Sequence, residues 1–241
     1  MPLFDTVSNV ISDAAAELGL GTVTDAFAST DPNVVQLRSL LKSVGRRLTK
    51  QRQWRQLVKE HTFTTTTDED TYTLPADFVS MLEQSGWNRT QQLSLAPVDA
   101  QGWQYLKATD AGTVLTALFR PRALTLQLWP ASPPAGETIA FEYVSRYWVA
   151  DGETPTVGTR DAFEANTDVL LFDVGLLVPA LKLAFQQAKG FDSSAAENEY
   201  RMALVLEESA DSSGAPKLSL SRSSDFRLVD GANAPQGGYG Q

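Results

Sequence analysis

The strongest constraint on the fold is an amphipathic segment that begins at Asp31-Pro32. Asp is a good N-cap, and Pro is favoured at the first helical position. Apolar residues recur along one side at helical spacing, and they are Val34, Leu37, Leu41, Val44 and Leu48. A second stripe, with a spacing of four residues, lies on the other side and consists of Arg38, Lys42, Arg46 and Lys50. The two stripes predict a helix that runs from Asp31 to about Leu57.

Three other segments have helical patterns. Residues 5–19 repeat apolar side chains at helical spacing and end at two glycines. Residues 173–189 belong to the most apolar stretch of the chain, and Pro179 is expected either to kink this helix or to delay its start. A fourth helix is expected to follow Asp192, which is a suitable cap, and to extend to about Ala210.

The sequence between the two helical halves is rich in β-strand patterns. The segments HTFTTT and TYTL flank the turn-like TDED and predict a hairpin, and TVLTALFR and ALTLQLWP predict a second one across Pro121-Arg122. In TIAFEYVSRYW, alternation places Ile139, Phe141 and Tyr143 on the buried side. The predicted fold class is therefore α+β, a helical bundle of about four helices with an inserted small antiparallel β domain and an extended C-terminal tail.

This prediction divides the chain into four segments. Residues 1–59 form the N-terminal helix pair of the bundle, 60–150 the inserted β-rich domain, and 151–211 the C-terminal helix pair. Residues 212–241 are rich in Ser, Gly, Ala, Pro and Gln, and are interpreted as an extended or disordered tail that docks on a partner. The predicted partner-binding residues of the tail are its spaced apolar side chains, Leu218, Leu220, Phe226 and Leu228.

The composition gives little support to an enzyme. There is no cysteine, which excludes disulfides, cysteine nucleophiles and thiolate metal sites. The single histidine, His61, has no second histidine with which to build a triad or a metal site. No phosphate-binding glycine loop, signal peptide or transmembrane run is recognised. We therefore expect no catalytic residue, no metal and no cofactor, although a hydrolase or a carbohydrate-binding protein built on the sheet stays an alternative.

The charge is distributed unevenly. The whole chain has a net charge of -9, whereas residues 32–59 carry eight bases and no acid. Such blocks concern partners more than folding. One alternative function is therefore a nucleic-acid-binding protein that uses the basic helix 38–59, since this many bases can release counterions from phosphates.

Several short motifs occur in a fixed order along the chain. WRQLVKEHTFTTTTDEDTYTLPADF contains the succession Trp-x-x-Leu, Phe-x-Thr and Tyr-x-Leu-Pro-x-Asp-Phe, and SGWNRT and GWQYLK follow it. LWPASPPAGETIAFEYVSRYWV then supplies a strand, a proline turn, Gly-Glu and a last aromatic strand, and LKLAFQQAKGFD supplies a late helix with a glycine break. Across residues 5–208 this series resembles the head-to-tail adaptor proteins, also called head-completion or connector proteins, of short-tailed bacteriophages.

The resemblance implies a structural virion protein rather than an enzyme. Such a protein forms a ring of about twelve copies beneath the portal and connects the capsid to the tail. Its implied partners are the portal protein, the tail nozzle or tail tube protein and further copies of itself. Genomic DNA is expected to pass through the lumen without sequence-specific binding, and no membrane is involved. The implied location is the head-tail junction of the virion, after synthesis in the host cytoplasm.

The resemblance also gives the basic stripe a role in binding partners. Its residues, Arg38, Lys42, Arg46 and Lys50, have three possible environments. They form a solvated face, pair with an acidic surface of a neighbouring subunit or of the portal, or face the DNA in the channel. A strongly basic lumen would retain phosphates and slow DNA ejection, which is an argument against the third.

Overall fold

The computed structural model describes residues 4–109, 117–130, 134–152 and 155–211. Within these residues the chain forms five α-helices and thirteen short β-strands, and the strands form three sheets. The described chain divides into two compact units. Of the described residues, those in the ranges 4–58 and 144–211 form the first unit, and those in the range 59–143 form the second.

The helices carry most of the regular structure of the first unit. In chain order they are α1 (Val7–Glu17), α2 (Pro32–Gln51), α3 (Ala100–Thr109), α4 (Val174–Lys189) and α5 (Ser194–Asp211). All except α3 belong to the first unit. Helix α4 packs against α1, α2 and α5, and it is apolar on nearly every side, as the core position requires.

The strands are mostly two to five residues long. They are β1 (Asp5–Thr6), β2 (Val58–Thr64), β3 (Thr71–Thr73), β4 (Phe78–Met81), β5 (Trp87–Asn88), β6 (Leu93–Ser94), β7 (Ala96–Pro97), β8 (Leu118–Arg122), β9 (Thr125–Trp129), β10 (Thr138–Ser145), β11 (Val149–Ala150), β12 (Gly158–Arg160) and β13 (Val169–Leu170). The first sheet has the order β1-β13-β11-β12, the second β2-β10-β5-β6 with β4 also on β10, and the third β3-β9-β8-β7.

Helix α2 begins as the sequence predicts but ends earlier. The Asp31 carboxylate accepts a hydrogen bond from the Asn33 amide at 2.8 Å, which confirms the N-cap. The helix stops at Gln51, six residues before the predicted end, because Arg52 has extended backbone. The buried indole of Trp54 then donates to the Leu48 carbonyl at 2.8 Å, so the end of the helix is fixed by a contact with the next segment.

Helix α4 contains the proline that the sequence singled out. It starts at Val174, directly after its cap Asp173, and continues through Pro179, so the predicted late start is wrong. Pro179 is the sixth residue of the helix, where its missing amide costs one hydrogen bond. The helix ends at Gly190, whose left-handed φ of 73° is readily adopted by glycine.

The second unit is a pair of sheets with one helix. Side chains from the second and third sheets form one buried apolar cluster that includes Phe119, Leu126, Phe141 and Tyr143. Helix α3 adds Trp103, which meets Trp129 edge-on at 6.0 Å. The predicted β8–β9 hairpin is confirmed, although Pro121 and Arg122 lie in the strand rather than in the turn. The predicted hairpin of β2 with β3 is wrong, because β3 pairs with β9 and β2 with β10.

The predicted helical bundle with a small inserted β domain is also wrong, although the broad α+β class holds. The described residues contain three sheets, and one of them, β1-β13-β11-β12, lies in the same unit as α1, α2, α4 and α5. Its strands have only two or three residues each. Such strands are too short to show the alternation by which a strand is recognised in a sequence. They form because their backbone pairs with segments that are distant in the chain.

The described residues do not test the predicted docking of the C-terminal tail or the predicted division into four segments. The tail, residues 212–241, with Leu218, Leu220, Phe226 and Leu228, lies outside the described residues, so its docking role stays a prediction. The four-segment division of the chain likewise stays a prediction. Among the described helices, none combines the length and the apolar character that a membrane span requires.

Candidate interaction surfaces on the helical unit

A row of five aromatic rings runs through the first unit beneath α2. The ring pairs Phe27–Phe163, Phe163–Trp148, Trp148–Phe172 and Phe172–Trp54 have centroids 6.0, 6.2, 6.1 and 5.7 Å apart. Three of the four contacts are edge-to-face, the geometry that the quadrupoles of the rings favour. Phe163, Trp148, Phe172 and Trp54 are fully buried, whereas Phe27 is half-buried at the end of the row.

Arg38, the first residue of the basic stripe, lies on the outermost ring of this row. Its guanidinium carbon is 5.1 Å from the centroid of the Phe27 ring, and one of its nitrogens donates to the Phe27 carbonyl at 3.2 Å. Asp25 shapes the loop that presents this ring, because its carboxylate accepts from the amides of Phe27 and Ala28. The hydrogen bond from Ala28, followed by that from the Asn166 side chain, lowers the pKa of Asp25, and the charge of Arg38 acts in the same direction.

Lys42, one turn further along α2, lies over the next ring. Its Nζ is 5.1 Å from the centroid of Phe163. The segment 161–168 holds this ring in place through the buried carboxylate of Asp168, which accepts from the amides of Glu164 and Ala165 at 2.7 and 3.0 Å. Arg160 closes the segment by donating to the same carboxylate at 3.3 Å.

Together these residues line a shallow pocket of about 310 Å³ on the outer side of α2. Its lining consists of Phe27, Val35, Arg38, Ser39, Lys42 and Phe163. Its accessible surface is about equally polar and apolar: the exposed Val35 and the half-buried Phe27 are its accessible apolar side chains, and Arg38 and Lys42 carry the charge. The pocket therefore suits an apolar side chain that is accompanied by negative charge.

The remaining two residues of the basic stripe are more exposed. Arg46 lies 3.6 Å from the carboxylate of Asp161, and both side chains are about half exposed, so the pair contributes little to stability. Lys50 lies exposed in the last turn of α2. The stripe thus has two parts: Arg38 and Lys42 are held over aromatic rings, and Arg46 and Lys50 extend toward water.

Helix α5 presents a different surface. Met202, Val205 and Leu206 lie on one face of this helix, and 69, 55 and 72% of their respective surfaces are exposed. In contrast, the only fully buried residue of α5 is Ala196. Exposed apolar side chains that are adjacent to one another mark interaction sites more often than single ones do. We refer to Met202, Val205 and Leu206 as the α5 stripe.

Polar contacts fix the opposite face of α5 against the rest of the unit. Lys182 of α4 lies between Glu17 of α1 and Glu199 of α5, at 2.6 and 2.8 Å. Burial disfavours the charge of Lys182, but the hydrogen bonds that its ammonium donates to both carboxylates outweigh this effect, and the pKa of Lys182 is raised. At the far end, Arg52 is 3.6 Å from Asp211. The α5 stripe therefore points away from α4.

The sequence identified one of these two surfaces and missed the other. It placed Arg38, Lys42, Arg46 and Lys50 on one side of a helix, and the structure brings all four to the outer side of α2. It did not find Phe27 and Phe163, because they lie in irregular loops and meet α2 only through the tertiary fold. The α5 stripe has a visible signal, since the i, i+3, i+4 spacing of Met202, Val205 and Leu206 is that of an apolar helix face.

The structure also describes the surroundings of the acidic side chains and of His61. Within the described residues, no group of three or more His, Asp and Glu side chains could hold a metal ion. His61 lies on β2, where its ring stacks near Phe63 and meets the edge of Phe141, with centroids 6.1 and 5.4 Å apart. Burial lowers the pKa of His61, and the charge of Asp77 opposes this only in part. These contacts describe a histidine packed within the aromatic cluster of the second unit.

Comparison with known proteins places the chain in a family. The family model described as SU10 adaptor protein matches residues 5–219. This match confirms the resemblance to phage head-to-tail adaptors that the ordered motifs indicate. No curated protein matches the sequence.

Proposed function

Because the chain belongs to the SU10 adaptor protein family, we propose that it is a structural, non-enzymatic subunit of a ring that joins the portal to the tail. The ring has about twelve copies, since its symmetry follows that of the portal above it. It continues the DNA channel from the capsid into the tail nozzle or tail tube. Genomic DNA passes through it without sequence-specific contacts, and the protein resides at the head-tail junction of the virion.

The observation that carries this proposal is the family match over most of the chain. The outer surfaces of the first unit support it. A ring subunit needs two different lateral faces, because a head-to-tail contact between identical copies joins unlike surfaces. Helix α2 has five cations and no carboxylate, whereas α5 has five carboxylates and one cation, so this chain has two faces of opposite charge.

Sizing of the purified protein, alone and mixed with its portal protein, tests the proposal. We expect a stable complex with the portal that contains a ring of adaptor subunits, measured by light scattering and native mass spectrometry. Binding of the free protein to duplex DNA is the informative comparison. Strong, salt-sensitive DNA binding without a portal complex would contradict the proposal and favour the nucleic-acid-binding alternative.

Reversal of charge on the basic stripe tests its role as a partner-binding surface. The triple variant Arg38→Glu, Lys42→Glu and Arg46→Glu is expected to stay folded, because exposed charges and exposed cation–π contacts contribute only about 1 kcal/mol each. Assembly is expected to weaken by about tenfold or more at low salt, since complementary charge guides association.

Arg47→Glu is the matched control, because Arg47 is an exposed base of the same helix that does not line the pocket. It should leave assembly nearly unchanged. Equal loss of assembly in both variants would mean that only the net charge matters. No loss in either would mean that the stripe is a solvated face.

A further inference from the structure

We infer that the α5 stripe of one copy docks on the α2 pocket of the next copy, so that these two surfaces form the lateral contact of the ring. The inference rests on the proposed function and specifies its interface. The residues that meet are Met202, Val205 and Leu206 on one side and Phe27, Val35, Arg38, Ser39 and Lys42 on the other, and the fully buried Phe163 lies beneath the second set. Each of the two surfaces therefore binds a second copy of this chain.

The two surfaces match in chemistry. The α2 pocket offers two accessible apolar side chains, Val35, which is 42% exposed, and Phe27, which is half-buried. The α5 stripe offers three exposed apolar side chains, one of which is methionine, whose thioether packs favourably against aromatic rings. Burial of these side chains against Val35 and Phe27 removes apolar surface from water, which is the main favourable term in association.

The charges around the two surfaces match as well. Arg38 and Lys42 form the rim of the pocket. Helix α5, which carries the stripe, has five carboxylates against one cation. Opposite charge at the rim guides two copies into one register and adds specificity more than affinity.

Charge also argues against the symmetrical alternative. Two α5 helices that met through their stripes would bring five carboxylates of one copy close to five of the other. Like charges placed opposite one another cost several kcal/mol at an interface. A contact between α5 and α2 avoids this, and it joins unlike surfaces. Such a heterologous contact propagates from copy to copy, and it gives a ring when the rotation between copies closes.

The two surfaces do not meet within one copy. The inner face of α5 packs on α4, where Lys182 binds Glu199, so the α5 stripe faces outward. The α2 pocket opens on the outer side of α2, because Leu37 and Leu41 of the same helix are fully buried. A second copy is therefore needed to bring them together.

Crosslinking between two cysteine variants tests the contact directly, because the native chain has no cysteine. One preparation carries Ser39→Cys, in the pocket, and the other carries Leu206→Cys, in the α5 stripe. Mixed in the presence of portal and treated with a short bis-maleimide, they are expected to give a covalent dimer. Each variant alone should give at least tenfold less dimer, since a head-to-tail contact never places equal positions together.

Val157→Cys replaces Leu206→Cys in the control mixture, because Val157 is an apolar residue of the same unit with 52% of its surface exposed. This mixture should give no dimer above background. Dimers from Leu206→Cys alone would indicate that two α5 stripes meet, and they would overturn the inference. A portal-bound ring that forms without the Ser39–Leu206 crosslink would overturn the inference and leave the proposed function intact.

A substitution gives an independent readout. Leu206→Asp is expected to abolish ring formation while the melting temperature of the free protein changes by no more than about 2 °C, as for an exposed site. Val157→Asp should leave the ring intact. If Leu206→Asp instead lowers the melting temperature of the free protein and spares the ring, the stripe is covered by its own chain and the inference is wrong. A crosslink between copies with no binding to portal would contradict only the proposed function.

Discussion

Replacement of Gly45 by alanine is expected to destabilise the first unit by about 1–3 kcal/mol, the range observed for overpacked cores. Gly45 lies in the middle of α2, where a change from Gly to Ala normally stabilises a helix by about 1 kcal/mol. Here a Cβ atom at Gly45 would overlap the indole of Trp148, which is fully buried. The indole cannot move freely, because its nitrogen donates to the Asp161 carbonyl at 2.8 Å and its ring contacts Phe163 and Phe172.

Thermal and urea unfolding measure this effect, and two variants control for it. Ser43→Ala changes an exposed residue of the same helix and should leave stability nearly unchanged. The second control is Gly45→Ala made in a Trp148→Phe background, where the smaller ring leaves room for the methyl group. There, Gly45→Ala should lower the free energy of unfolding by less than it does in the native chain. Unchanged or increased stability in Gly45→Ala would show that α2 and Trp148 are not packed at this distance.

Replacement of Asp168 by alanine is expected to cost about 2–4 kcal/mol, because it removes a buried carboxylate that accepts three hydrogen bonds at once. Only 2% of Asp168 is exposed, and its carboxylate binds the amides of Glu164 and Ala165 and the guanidinium of Arg160. Its backbone carbonyl also accepts from the Val7 amide at 2.9 Å, so the segment that Asp168 shapes meets the start of α1.

Asp151→Ala is the matched control. Asp151 binds the same Arg160 at 3.3 Å, but half of its side chain is exposed, so its loss should cost less than about 1 kcal/mol. Asp168→Ala should also loosen Phe163 and thereby the α2 pocket, which lies on the same segment. Chemical denaturation of the native protein, Asp151→Ala and Asp168→Ala compares their free energies of unfolding. Similar values for Asp151→Ala and Asp168→Ala would mean that the buried hydrogen bonds of Asp168 add nothing.

The sequence predicted the helices well because their signals are local. Apolar spacing in α2, the cap at Asp31 and the glycine at the end of α4 all act within one or two turns of backbone. The end of α2 was misplaced because the charged residues after Gln51 continue the helical composition. What stops the helix is the burial of Trp54 against Leu48 and Phe172, a set of contacts that spans more than a hundred residues.

The sheets were predicted less well, for a related reason. The β8–β9 hairpin joins neighbouring segments and was found. The strands β2 and β3 are also neighbours in sequence, yet each pairs with a distant strand, since burial of Phe141 and Tyr72 in one cluster favours those partners. The short strands of the first unit, such as β1 and β13, have no alternating pattern to recognise.

By itself, the sequence determined where α1, α2, α4 and α5 lie in the chain, which side of α2 is basic, and, through the order of its motifs, the family to which the chain belongs. Each of these depends on residues close together in the chain or on their order. Only the tertiary structure decided that Arg38 and Lys42 lie over Phe27 and Phe163, and that the α5 stripe is left uncovered. Those outcomes depend on which distant segments share a core, since a side chain is exposed or covered according to what packs beside it. No local pattern contains that information.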